Sequence, residues 1–336
     1  MREEERLVEA ALTATDEEVR GVSALLEAAN SAAPHFWEIG EQVLVPVEDA
    51  EIRVIHCAPR TPRSAAQRPI VLVPGFGVIP EGFQDFYTAV HGKAELYYVE
   101  TREKGSSRLC SGRPDMSVAR SARDLRLVMA ALGLAGRRDF VLVAVCWGAS
   151  IALEGMIGGF LDAPTVLLAD PMHALWFPKW VLRWISPLLP VPIVRALRPF
   201  VFRAMLGDMR EPAQKERARA FVYGADVGKW KRSAEAARDF ELFGRLSAIG
   251  REVFVLNGTK DKIHDPRNYP RMARELPKGR FLYMSAGEHE REKLVGTAAL
   301  ELARVSAAQG LPPSLAWFEK RIHPSPRKAP GSSVSR

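Results

Sequence analysis

From Pro69 to about residue 285, short continuous apolar runs alternate with longer stretches in which apolar residues recur every three or four positions. The runs "PIVLVPG", "AELYYVE", "DFVLVAV", "PTVLLAD", "REVFVLNG" and "GRFLYMS" are rich in β-branched and aromatic residues and bounded by turn formers. They predict strands buried on both faces. Between them, "DMSVARSARDLRLVMAALGL" sets Val118, Leu125, Val128, Met129 and Leu132 at helical spacing. Strands alternating with helices predict an α/β fold, a mostly parallel sheet with helices on both faces. Upstream, "EQVLVPV" and "AEIRVIHCAP" predict two strands meeting around "EDA". Earlier still, "DEEVRGVSALLEAAN" predicts a helix with Asp16 as N-cap and Val19, Val22, Leu25 and Leu26 on one face.

One segment breaks the alternation. Between the strand ending at Asp170 and the strand starting near Arg251 lie about 80 residues, where a crossover helix needs about 10 to 15. A helical insertion is expected there. The organisation read from the chain is a helical extension over 1–40, a core over 41–170 and 251–322, an inserted lid over 171–250, and a Pro-, Ser- and Arg-rich tail over 323–336 expected to be disordered. "RTPRSAAQR" reads as a polar link. In the insertion, Trp176, Trp180 and Trp184 recur at i, i+4 and i+8, with Lys179, Arg183, Arg195, Arg198 and Arg203 interspersed. Packing against the domain below is the plainer reading of that stripe. An apolar face rimmed with cations also suits an acyl pocket or peripheral contact with an anionic membrane.

Charge and cysteine content narrow the classes. The net charge of +7, from 47 Lys and Arg against 40 Asp and Glu, is a mild excess spread along the chain. It argues only weakly for anionic partners, and nucleic acid is not expected among them. Cys57, Cys110 and Cys146 are too few and too scattered for a disulfide framework or a zinc site. Reduced thiols, an acidic N-terminus unlike a signal peptide, and no run of roughly 18 apolar residues lead to the expectation of a cytoplasmic protein.

The chemistry concentrates at "FVLVAVCWGASIALE". A strand over Val141–Val145 runs into a helix starting near Trp147, with Cys146 at the corner. Residues two before and two after a side chain presented on such a turn must be small, and Ala144 and Gly148 are. The first turn of a helix favours a thiolate and offers backbone N–H donors. The strand "REVFVLNG" leads to Asp261, and "GRFLYMS" leads to His289, each past a strand's carboxyl end, where open α/β sheets bind ligands. Singly, Cys146 fits a buried core position, Asp261 a loop cap and His289 a surface site. Together, nucleophile, acid and histidine follow in the chain order of a hydrolytic triad. Asp170, just past another strand, is a second candidate for the acid.

At these residues the chain resembles the α/β-hydrolases over about residues 42–307, with the insertion where that family carries its lid. "VLVPGFG" is similar to the family's His-Gly loop, with Pro74 in the histidine position; the match makes the amides of Phe76 and Trp147 the oxyanion donors. "LNGTKDKIHDP" is similar to the Gly-x-x-Asp acid turn through Gly258 and Asp261. "YYVETREKGSSR" departs from the family's Asp-x-Arg-Gly-x-Gly-x-Ser segment, and no role is carried over. Ala144 replaces the motif's first glycine, and cysteine replaces the commoner serine, as in dienelactone hydrolases and polyhydroxyalkanoate synthases. The resemblance implies a hydrolase of hydrophobic esters or thioesters using Cys146, His289 and Asp261, with no cofactor or metal. Gly75, Gly77, His173 and Trp176 are expected to line the pocket. An acyltransferase resembling the polyester synthases and a non-catalytic binding protein stay open, as does the oligomeric state.

Overall fold

The computed structural model describes residues 3–29, 32–59, 67–110, 112–200, 203, 212–257, 265–287 and 290–323. Residues 60–66 of the polar link and 324–336 of the tail lie outside the described residues, as do Asp261 and His289.

The apolar runs form one sheet. Its strands are β1 Glu41–Val47, β2 Ala50–Cys57, β3 Ile70–Val73, β4 Leu96–Val99, β5 Arg108–Leu109, β6 Val141–Val145, β7 Val166–Ala169, β8 Glu252–Asn257, β9 Lys278–Tyr283 and β10 Glu319–Lys320. The order is β1-β2-β4-β3-β6-β7-β8-β9-β10, with β5 paired to β2. From β4 to β9 all neighbours are parallel, while β2 is antiparallel to β1 and β4. β3, β6 and β7 are buried along their whole length, because helices cover both faces and leave no solvent side to favour a polar residue. The short strands β5 and β10 carry no apolar run of their own and were not expected from the pattern.

Helices α1 Glu3–Ala11, α2 Asp16–Ala28, α3 Phe36–Ile39, α4 Gln84–Val90, α5 Val118–Ala131 and α6 Trp147–Ile157 precede the insertion. The cap of α2 is Thr15 rather than Asp16: Thr15 accepts from the Glu18 amide and Glu18 bonds back to the Thr15 N–H. This reciprocal pair satisfies two orphan donors, which outcompetes a cap one residue later. Val22 and Leu26 are buried beneath α2, whereas Val19 is exposed. α6 is apolar on every side and almost wholly buried, as expected of a helix inside the fold rather than on its surface.

Between β7 and β8 the chain forms short helical pieces: a wide π turn over Val181–Ile185, a 3-10 turn over Ser186–Leu188, α7 Val191–Ala196, and the helices Pro212–Gly224 and Val227–Ala236. The tryptophan stripe does not pack downward as expected. Trp176, Trp180 and Trp184 are 61%, 62% and 69% exposed. Trp176 lies ahead of the helical turn, separated from it by Pro178. Leu182 is the residue of this turn that is buried. No helix among the described residues is long and apolar enough to cross a membrane.

Candidate active site

The parallel strands β3, β6, β7 and β8 end side by side at one sheet edge, with Val73 opposite Ala144, Val145 opposite Ala169 and Ala169 opposite Leu256. β4 and β6 flank β3 on opposite sides, so the chain leaves β3 in one direction and β6 in the other. In open α/β sheets, ligands bind where loops diverge in this way. The residues after β3 and β6 are Pro74 and Cys146.

Cys146 has φ 52° and ψ −113°, a backbone conformation that side-chain-bearing residues rarely hold because Cβ crowds the carbonyl. Such geometry costs of order 1–3 kcal/mol and persists only where the surroundings enforce it. Here the Cys146 amide donates to the Ala169 carbonyl at 2.9 Å, and the Cys146 carbonyl accepts from Ala149 and Met172. Ser150 Oγ donates to the Met172 carbonyl at 2.6 Å, fixing the same corner from inside α6. The result is a part-exposed thiol at the first turn of a buried helix.

The small residues around it have separate causes. A Cβ on Gly148 would stand 2.4 Å from the Val73 carbonyl oxygen and 2.6 Å from that of Pro74, because α6 starts across the end of β3. A Cβ on Gly75 would sit 3.1 Å from Cys146 Cβ and 3.6 Å from its sulfur, which places the 75–77 loop against the thiol. Ala144 is buried within β6, in register with Val73 and Leu168. Its methyl is accommodated without breaking either ladder.

The 75–77 loop rests on a buried ion pair that sequence reasoning missed. Glu103 and Lys104 are paired at 2.9 Å with side chains 2% exposed. Glu103 Oε1 accepts from the Gly77 amide at 3.3 Å and from Thr101 Oγ1 at 2.7 Å. Lys104 Nζ donates to the Gly75 carbonyl. Phe76 is therefore suspended between two anchored neighbours, and neither its amide nor that of Trp147 hydrogen-bonds to another described residue. Burial alone would push the Glu103 carboxyl up, but the Lys104 charge and the hydrogen bonds hold it below its ordinary value.

Aromatic rings pack beside this corner. Trp147 is buried, edge-on to Phe76 at 5.9 Å and to Phe240 at 5.6 Å. Phe76 also meets Trp230 at 5.7 Å. Trp230 lies over Gly77, whose φ is +66° and where a Cβ would come within 2.1 Å of the indole. Lys229, its neighbour, is buried and donates to the carbonyls of Lys104 and Ser107. Thus helix Val227–Ala236 is anchored to the loop that carries the ion pair.

The other expected residues are placed as follows. Gly75 and Gly77 adjoin Cys146 and the Trp230 wall. His173 is engaged by Glu241 at 2.8 Å and packs on Phe243. Trp176 is exposed and meets Phe177. Asp170 is buried after β7 with φ 45°; its carboxylate accepts from Asn257 at 2.8 Å and lies 3.7 Å from Arg291. Among the described residues, no cluster of three His, Cys, Asp or Glu side chains could hold a metal ion.

A profile of the alpha/beta hydrolase family matches residues 70–305, more than half of the chain. The chain belongs to the α/β-hydrolase family. Three solved structures are similar to this α/β-hydrolase in fold. A hydrolase from Pseudomonas aeruginosa PA01 superposes with a TM-score of 0.62 at 16% identity, covering 79% of this chain and 98% of that one. An esterase from Exiguobacterium antarcticum does so at 0.61 and 17%, covering 77% and 97%. A thermophilic esterase from Thermogutta terrifontis does so at 0.60 and 18%, covering 77% and 95%. At such identities the likeness concerns the α/β-hydrolase fold.

Proposed function

We propose that this α/β-hydrolase cleaves an ester or thioester of a hydrophobic acyl group, with Cys146 as nucleophile, His289 as base and Asp261 orienting the histidine. The observation that carries the reading is the backbone of Cys146, held at φ 52° where its thiol faces the Gly75–Gly77 loop. Strain of this kind at a sheet edge has a ready account if the side chain must be presented to a substrate.

In the proposed reaction His289 takes the thiol proton and the sulfur attacks the carbonyl carbon. The oxyanion is held by the Phe76 and Trp147 amides, each worth roughly 3 kcal/mol in the transition state. Collapse of the tetrahedral intermediate expels the alcohol or thiol, which leaves with the proton from His289. Water then attacks the thioester, His289 takes its proton, and release of the carboxylic acid restores the Cys146 thiol. The apolar wall of Phe76, Trp147, Trp230 and Phe240 supports a hydrophobic acyl group.

An acyltransferase would differ only in the acceptor that replaces water. Aryl esters and acyl-CoA thioesters of increasing chain length, turned over by wild type, Cys146→Ser and Cys146→Ala, test both. Turnover lost in Cys146→Ala, with an acyl adduct on Cys146 by intact-mass spectrometry in wild type, is expected. Absence of turnover and adduct at every chain length would leave a binding protein.

A further inference from the structure

We infer that the turn Trp176–Phe200 is a docking surface for an anionic lipid membrane, a role independent of the chemistry proposed for Cys146. Most of the large apolar side chains left exposed by the described residues lie in this one stretch. Leu188 is 80% and Phe200 71% exposed, beyond the three tryptophans. Scattered exposed apolar residues need no explanation, but a contiguous concentration does.

The stripe faces outward for a local reason. Leu182 and Ser186 take the inner side of the turn, Leu182 buried and Ser186 Oγ 2.7 Å from Glu235 on helix Val227–Ala236. Trp180, Trp184 and Leu188, spaced by four, are left on the outer side. Tryptophan and leucine together suit the boundary between headgroups and acyl chains, where an indole keeps its N–H wet and buries its ring.

Charge selects the occupant. From Pro171 to Phe200 the sequence holds Lys179, Arg183, Arg195 and Arg198 and no Asp or Glu. Arg183 pairs with Asp239 at 2.9 Å, a carboxylate that Lys179 also attracts from an exposed position without an ion-pair contact, and Arg195 is exposed with no ion pair to a described residue. A second copy meeting this face by two-fold symmetry would set these cations against themselves. An anionic bilayer supplies the opposite charge, and each cation near such a surface gains about fivefold in partitioning.

The test is flotation of the purified full chain with vesicles of phosphatidylcholine alone and of equal parts phosphatidylcholine and phosphatidylglycerol. Flotation with the anionic vesicles, weakened by salt and by neutral lipid, is expected. The triple variant Trp176→Ser, Trp180→Ser, Trp184→Ser should lower partitioning at least tenfold with an unchanged melting temperature, since none of the three is buried. The pair Lys179→Glu, Arg195→Glu should lower it about as much, and this decides the matter if the triple variant is unstable. No flotation with anionic vesicles would overturn the inference, as would flotation undiminished in both variants. So would a concentration-dependent dimer abolished by the tryptophan changes, which would assign the face to a second copy.

Discussion

Replacing Lys104 by Met removes the ammonium that faces Glu103 and holds the Gly75 carbonyl. At 2.9 Å and an effective dielectric near 20, the attraction lost is about 6 kcal/mol, part of which only offsets desolvation of the two charges. Breaking such a buried pair from one side costs about 3–5 kcal/mol, because the remaining carboxylate is left buried without its cation. Urea denaturation should show that loss as a lower midpoint at unchanged slope. Glu103→Gln should be destabilising too, since it strands Lys104. The double variant Glu103→Gln, Lys104→Met should recover about 2 kcal/mol or more relative to the sum of the singles.

The pH dependence has a definite sign. Glu103 is held below its ordinary value of 4.5 in the fold, so its contribution is present above that value and is lost as pH falls through the lower, folded one. The stability gap between wild type and Glu103→Gln should therefore narrow on acidification below about 4.5. In the proposed reaction, loosening Gly75 and Gly77 moves the Phe76 amide, and kcat should drop by up to about a hundredfold. Single variants costing less than about 1 kcal/mol, with an additive double variant, would refute the account of a paired, buried anchor.

Three further outcomes are expected. Iodoacetamide should alkylate Cys146 fastest and exposed Cys110 more slowly, while buried Cys57, whose thiol is pushed up to about 11 by burial, should resist; peptide mapping reads the order. Equal labelling of all three would remove the support for a reactive thiol. Gly148→Ala should cost about 3 kcal/mol or more, or abolish folding, because the new methyl meets the Val73 and Pro74 carbonyls; thermal melting checks it, and a neutral change would contradict the packing of α6 over β3. In the proposed reaction, Asp261→Asn should lower turnover about ten-thousandfold by losing the charge proposed to orient His289, with Asp170→Asn having the smaller effect; the reverse ranking would make Asp170 the acid.

How much of this was legible in the sequence depends on where each residue's surroundings come from. The strands were legible because burial on both faces leaves unbroken apolar runs. The corner at Cys146 was legible because its steric demand falls on Ala144 and Gly148, two residues to either side. Glu103 and Lys104 were not: a charged run after a strand reads as a solvated loop, and what buries it comes from far along the chain. Gly75 is 29 residues from Lys104, and Lys229 is 125 residues from it. The tryptophan spacing was visible, but spacing does not say whether a stripe is covered, and the helical turn begins only at Pro178, which leaves Trp176 outside the regular helix that the pattern assumed. Asp261 and His289 rest on their order and their place after β8 and β9.

The seating of Lys229 ties the inserted segment to the loop that carries the ion pair. Its ammonium rests on the carbonyls of Lys104 and Ser107, and the Lys104 side chain in turn grips Gly75, one residue from the Phe76 amide. Two lysines and a single peptide unit therefore separate helix Val227–Ala236 from that amide. The outer turn that bears the tryptophans is joined to the same helix through Ser186 and Glu235. Outer face, inserted helix and the loop beside the thiol are thus joined by an unbroken run of hydrogen bonds, from Ser186 through Glu235 and Lys229 to Lys104 and Gly75.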